Sequence, residues 1–197
     1  MKLIPKLSNS TIVRPANLVF LTSILAVIGP VMILLGGIWD AMSHIQREPE
    51  LFWTIQHITV YTGVSMVTSA GIVGGILLIK NSVHGILKKG IQLVIVGSAV
   101  QLVSGFGDSL SHEVYGIDGL ISWSHQPLEF GIVLASFGGF LVMKSRQNTR
   151  LGIFLPFSII AFLLLSGWLS FNIFLIFGHV IQCIPIHDIF SSGCAIL

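Results

Sequence analysis

Six residues carry the chemistry this sequence offers: Asp40, His44 and His57, and again Asp108, His112 and His125. In each set a histidine follows the aspartate by four residues, and a second histidine follows the first by thirteen. Imidazole suits copper, zinc and iron, and a carboxylate either ligates a metal or orients a ligating histidine by taking its other ring N–H. Copper is the first expectation from this donor set and zinc the second. Three protein ligands with an open position would suit reactive chemistry, whereas a filled fourth position would suit a structural or transport role. Paired histidines on different helices can also hold haem iron axially, although the carboxylates would then be superfluous.

A single Asp or His at a helix end is usually an interfacial or capping group, so repetition carries the argument. Sliding the chain on itself by 68 residues superimposes Gly37 on Gly105, Asp40 on Asp108, Ser43 on Ser111, His44 on His112, His57 on His125 and Gly63 on Gly131. Glu129, one turn after His125, is placed to complete the second set or to hold its histidine; its counterpart in the first copy is Tyr61. Trp39, Trp53 and Trp123 fall where an aromatic interface belt is expected, and no catalytic role is assigned to them. His84, in a basic loop, and His179 and His187, near Cys183, have no repeated pattern behind them.

The elements that must position these groups are helices in a membrane. Hydrophobic residues make up 53% of the 197 residues and charged residues 9%, with a mean hydropathy of +0.92, far from the composition of a water-soluble domain. A helix needs about 20 apolar residues to cross the hydrocarbon core. Five runs qualify: 16–44, 52–79, 90–112, 120–143 and 151–178. The fold expected is all-α, a polytopic membrane bundle of about five transmembrane helices containing two parallel-repeat helical hairpins. In each hairpin, Asp and the first His share one face at the end of a helix, and the second His opens the returning helix. Glycines such as Gly36, Gly37, Gly71, Gly74, Gly75, Gly138 and Gly139 suit close helix packing in lipid. Pro156 leaves the last run open to being one tilted or kinked helix, or a helix with an interfacial segment.

The resulting organisation is an N-terminal segment over 1–15, a first hairpin over 16–79, a basic loop over 80–89, a second hairpin over 90–143, a fifth helix over 151–178 and a tail over 179–197. The first run is longer than a signal-peptide core and ends in Asp40 and His44 without a small-residue cleavage site, so it is expected to remain as a helix. Lys2, Lys6, Arg14, Lys80, Lys88, Lys89, Lys144, Arg146 and Arg150 all fall at one end of the hairpins, which the positive-inside rule places in the cytoplasm. The opposite loops carry Glu48, Glu50, Glu113 and Asp118 against Arg47 alone. The Asp/His sets and the tail are therefore expected outside, in a cell membrane. There Cys183 and Cys194 either form a disulfide or remain two thiols.

No phosphate-cradling glycine loop, serine-nucleophile elbow, CxxC pair or nucleic-acid module is present in the sequence. Three classes of function fit the donor sets: a copper-binding subunit of an oxygen-using complex, a zinc-dependent membrane hydrolase in which Asp or Glu129 is the base, and a non-enzymatic structural or metal-handling subunit. Membrane lipid and other membrane subunits are the expected partners, and nucleic acid is not.

The spacing of DAMSH with His57, and of DSLSH with His125, resembles the copper-ligand motif of the C subunit of copper membrane monooxygenases, which oxidise methane or ammonia. The archaeal ammonia monooxygenase C subunit is the closer analogue, a short membrane protein in which a similar motif occurs twice. The resemblance covers about residues 36–131 and implies copper at Asp40, His44 and His57, and a second copper held by His112 and His125. The family commonly has Asn where this chain has Asp108, and the segments HITVYTG, HEVYGIDG and HQPLEFG and the cysteine-containing tail differ from a standard C subunit. The resemblance therefore implies a C subunit, a divergent paralogue or an accessory subunit, active only with partner subunits.

Overall fold

A computed structural model describes residues 14–46, 53–115 and 124–177, the side chains of His44, Ile45, His112 and Tyr115 excepted. The described residues form five α-helices: α1 Pro15–Ile45, α2 Ile55–Ile79, α3 Gly85–Tyr115, α4 His125–Ser145 and α5 Leu155–Phe177. All five are long and apolar enough to cross a membrane, because 21 to 31 residues extend about 30–45 Å at about 1.5 Å per residue. The chain is a multi-pass membrane protein with an all-α fold, and no strand occurs among the described residues. Large apolar side chains such as Ile72, Val103, Phe106, Leu163 and Phe174 point outward, as lipid requires and water would penalise. Several hydroxyls on these helices turn back onto their own backbone, for example Thr62 to Ile58 O and Ser170 to Ser166 O. That leaves no donor facing hydrocarbon at those positions.

Local sequence explains the punctuation. Pro15 opens α1, where a missing N–H leaves nothing unsatisfied. At the end of α2 the chain makes a Schellman turn: Ser82 N–H donates to Leu77 O, Asn81 N–H donates to Leu78 O, and Asn81 takes a positive φ of 50°. Gly85, at φ 60°, then starts α3, five residues before the expected start. Lys88 and Lys89 thus lie on the helix, their long side chains reaching outward from an apolar rod. Before α5, a 3-10 turn over Arg150–Phe154 is capped by Thr149, whose hydroxyl accepts from Leu151 N–H and donates to Arg146 O. Pro156 falls in the first turn of α5 and so interrupts no helical hydrogen bond. Thr149→Ala is expected to lower stability by about 1 kcal/mol, read as an earlier thermal transition in detergent; an unchanged transition would show the cap to be immaterial.

The main packing is within the hairpins, α1 on α2 and α3 on α4, and α2 also lies on α3 and α4 on α1. These four helices close a ring, and α5 sits against α4 and α1. Glycines set the approach. A β-carbon at Gly29 would lie 2.9 Å from Gly63 O, and one at Gly63 would lie 2.8 Å from Ile33 N. In the second hairpin, a β-carbon at Gly97 would lie 2.7 Å from Gly131 O, and one at Gly131 would lie 2.7 Å from Gln101 N. Gly29, Ile33 and Gly63 precede Gly97, Gln101 and Gly131 by 68 residues each, so the two hairpins cross at equivalent points. The ring's two remaining contacts are made at equivalent glycines but with partners one helical turn apart in the repeat. Gly71 meets Ser98 where α2 faces α3, and Gly139, again 68 residues on, meets Ala26 where α4 faces α1. The Ala26 carbonyl lacks its usual helical donor because residue 30 is proline, and it is this carbonyl that a β-carbon at Gly139 would strike.

Candidate metal centre

Each hairpin brings its aspartate to the second histidine across the helix pair. His57 Nε2 lies 3.1 Å from Asp40 Oδ1. His125 Nε2 lies 3.3 Å from Asp108 Oδ2. The aspartate is 14% exposed in both pairs and the histidines 25% and 22%. Both contacts are therefore shielded but open at one edge. They sit at the helix ends opposite Lys80, Lys88 and Lys144, beyond the glycine crossings just described. The repeat seen in the sequence is thus a repeat of geometry, in which same-type atoms meet at nearly the same distance.

His44 and His112 follow on α1 and α3 one turn beyond the aspartates, and their side chains lie outside the described residues. Among the described residues no group of three or more His, Cys, Asp and Glu side chains is gathered as a metal cage. The described part of each constellation is a carboxylate–imidazole pair. Such a pair has a defined chemical consequence. In a neutral ring that donates from Nε2, the carboxylate selects the tautomer and orients the imidazole. Imidazole and carboxylate are donor types that transition metals accept.

The two residues one turn inside the second histidines part company. Tyr61 stacks on His57 with ring centroids 6.1 Å apart and 28° between planes, and meets Trp53 edge-on at 6.3 Å. Gly71 faces Ser98, and ten residues back along α2 and forward along antiparallel α3 bring Tyr61 level with Asp108. Tyr61 thus stands between the two pairs. Glu129 instead turns to α5: its Oε1 accepts from Trp168 Nε1 at 3.0 Å and from Asn172 Nδ2 at 2.7 Å.

Trp168 and Asn172 are absent from the sequence-based candidates. They sit four residues apart, on one face of the most apolar helix in the chain. An amide in such a helix needs a polar partner, and that need was the signal available. Trp39 and Trp53 are exposed near helix ends, as an interface belt requires, and His84 is exposed just ahead of α3. Cys183, Cys194, His179, His187 and Trp123 lie outside the described residues, as do Arg47, Glu48, Glu50 and Asp118. No protein-family model, no curated protein and no solved structure matches this chain.

Proposed function

We propose that the chain is a transition-metal-binding membrane subunit, taking copper in preference to zinc, within or beside an oxidase complex of the ammonia or methane monooxygenase kind. Asp40, His44 and His57 would hold one ion, and Asp108, His112 and His125 another, on the outer side of a membrane whose cytoplasmic face meets the N-terminus. The observation that carries this reading is the recurrence of one Asp–His contact, at 3.1 and 3.3 Å, at the same end of two equivalent hairpins. Ionisable groups are costly near hydrocarbon, and paired groups recurring in register call for a shared task.

The chain's own residues would do three things. The aspartates orient the imidazoles; the glycine crossings fix the separation of the helices that carry them; the apolar helices exclude water from all but one edge. Copper, when bound, supplies one-electron and oxygen chemistry, and activity would depend on partner subunits. The direct Asp–His contact also favours a second reading, a hydrogen-bonded clasp in a purely structural subunit.

Metal content decides between them. Mass spectrometry of the gently solubilised native complex is expected to find copper in proportion to this chain. Absence of any metal, under conditions that preserve metal sites, would leave the structural clasp.

A further inference from the structure

The first four helices repeat, and α5 has no counterpart. It lies against α4 and α1, so it covers one of the ring's two seams. We propose that the other seam, between α2 and α3, is a docking groove for one transmembrane helix of another polypeptide, which takes there the place that α5 takes between α4 and α1. This rests on the part of the reading above that makes the chain a subunit, and it holds with or without a bound metal.

Equivalent positions at the two seams differ in cover. On α4, Glu129 bonds to Trp168 and Asn172 of α5, Phe137 and Phe140 meet Phe162 with ring centroids 5.1 and 6.4 Å apart, and Ile132 shares a core cluster with Leu165. On α1, Ile24 and Val27 share a cluster with Phe154 and Leu155. The counterparts of these six, 68 residues away, are Tyr61, Ser69, Ile72 and Val64 on α2 and Gln92 and Ile95 on α3. Every one of them is more exposed than its equivalent, and Ile72 is 64% exposed.

Bare apolar side chains alone would be answered by lipid, but this groove is not wholly apolar. Where the covered seam has Phe137 and Ile24, it has Ser69 and Gln92, both exposed. Thr62 and Ser65 on the same helix turn their hydroxyls onto their own backbone, whereas neither Ser69 nor Gln92 makes a hydrogen bond among the described residues. Ser69 stands ten residues before the end of α2, about 15 Å into the span at about 1.5 Å per residue, where acyl chains offer a hydroxyl no partner. Helix contacts in membranes use such residues: a small serine lets a second backbone approach, and a glutamine amide bonds across the interface. Because Gly71 faces Ser98, Gln92 lies about two turns from Ser69 toward the Lys88 end, at 3.6 residues per turn. The occupant is therefore a helix with a bulky apolar side chain against Ser69, the place Phe137 fills on α4, and a hydrogen-bonding side chain against Gln92.

The test uses the full-length chain in its native membrane, with photoreactive benzoylphenylalanine in place of Ile72 in the groove, or of the exposed Leu163 on α5 as the control. Irradiation is expected to join the Ile72 position to a different polypeptide, at a peptide within one of its transmembrane helices, and to leave the Leu163 position joined to lipid alone. Ser69→Trp, which fills the notch, should cut that adduct about tenfold, as overfilling a packed contact does. Its thermal transition in detergent should stay at that of the parent, since the groove is open in the chain alone. Gln92→Leu should cut the adduct by less. An adduct from Ile72 to a second copy of this chain, to its own residues 178–197 or to lipid alone would overturn the proposal. Equal adducts at both positions, or an adduct that Ser69→Trp and Gln92→Leu leave unchanged, would do the same. A different polypeptide joined at Leu163 and not at Ile72 would overturn the groove and leave the subunit reading standing. Lipid alone at both positions would remove the subunit reading as well.

Discussion

On the proposed copper-binding function, replacing His125 by alanine is expected to halve copper per chain, with the remainder at the first constellation; His57→Ala is expected to do the converse, and the double variant to carry none. The reason is that each pair stands on its own hairpin, so the loss of one imidazole leaves the other pair's contact intact at 3.1 or 3.3 Å. Losing a ligating histidine should exceed the roughly 10- to 100-fold cost of losing an outer-shell partner. Stability should fall too, because the shielded aspartate loses its contact with the imidazole, a change that costs less than the roughly 3–5 kcal/mol expected for a fully buried pair. Copper per chain by mass spectrometry reads the first effect and the thermal transition reads the second. Copper unchanged in both single variants would remove these histidines from any metal site.

A larger effect on folding is expected from Gly97→Val. A β-carbon there would collide with Ala135 N, and would lie 2.7 Å from Gly131 O and 2.8 Å from Ala135 Cα. All three are backbone atoms that cannot rotate away. Overfilling a packed site costs about 1–3 kcal/mol when side chains can yield, so a clash against backbone should reach or exceed the top of that range and push α3 off α4. Gly29→Val should behave similarly in the first hairpin, where the β-carbon would meet Gly63 O at 2.9 Å and Val67 N at 3.1 Å. Gly107→Ala is the control, since nothing lies within 4 Å of its added carbon. The yield of monodisperse protein and its thermal transition measure all three. A Gly97→Val variant as stable as its parent would mean the hairpins do not cross where the glycines place them.

Five helices and two hairpins could be read from the chain alone because membrane spans are a matter of run length. The pairing of Asp40 with His57 and of Asp108 with His125 follows from antiparallel hairpins with repeated spacing, and both were legible as candidate sets. The start of α3 was less so. Lys88 and Lys89 read as loop, yet charge at the end of a span is compatible with helix when the side chains reach past the apolar zone. Nothing local announces that Gly71 and Gly139 mark the two seams between hairpins, because a repeat sets register inside each unit and leaves the face joining the units open. Least legible was the anchoring of Glu129. Its partners lie 39 and 43 residues away, on a helix whose composition otherwise says only lipid.

The five residues from Lys80 to His84 that join α2 to α3 are the described link between two nearly equivalent hairpins. In effect the first four helices are a dimer whose subunits have been spliced end to end. A short tether of this kind holds its two ends at an effective concentration in the millimolar range. The seams at Gly71 and Gly139 therefore need be no stronger than a weak association between separate proteins, which leaves sequence freedom to specialise one half. The two halves differ where Glu129 stands for Tyr61 and where α5 packs at one seam only.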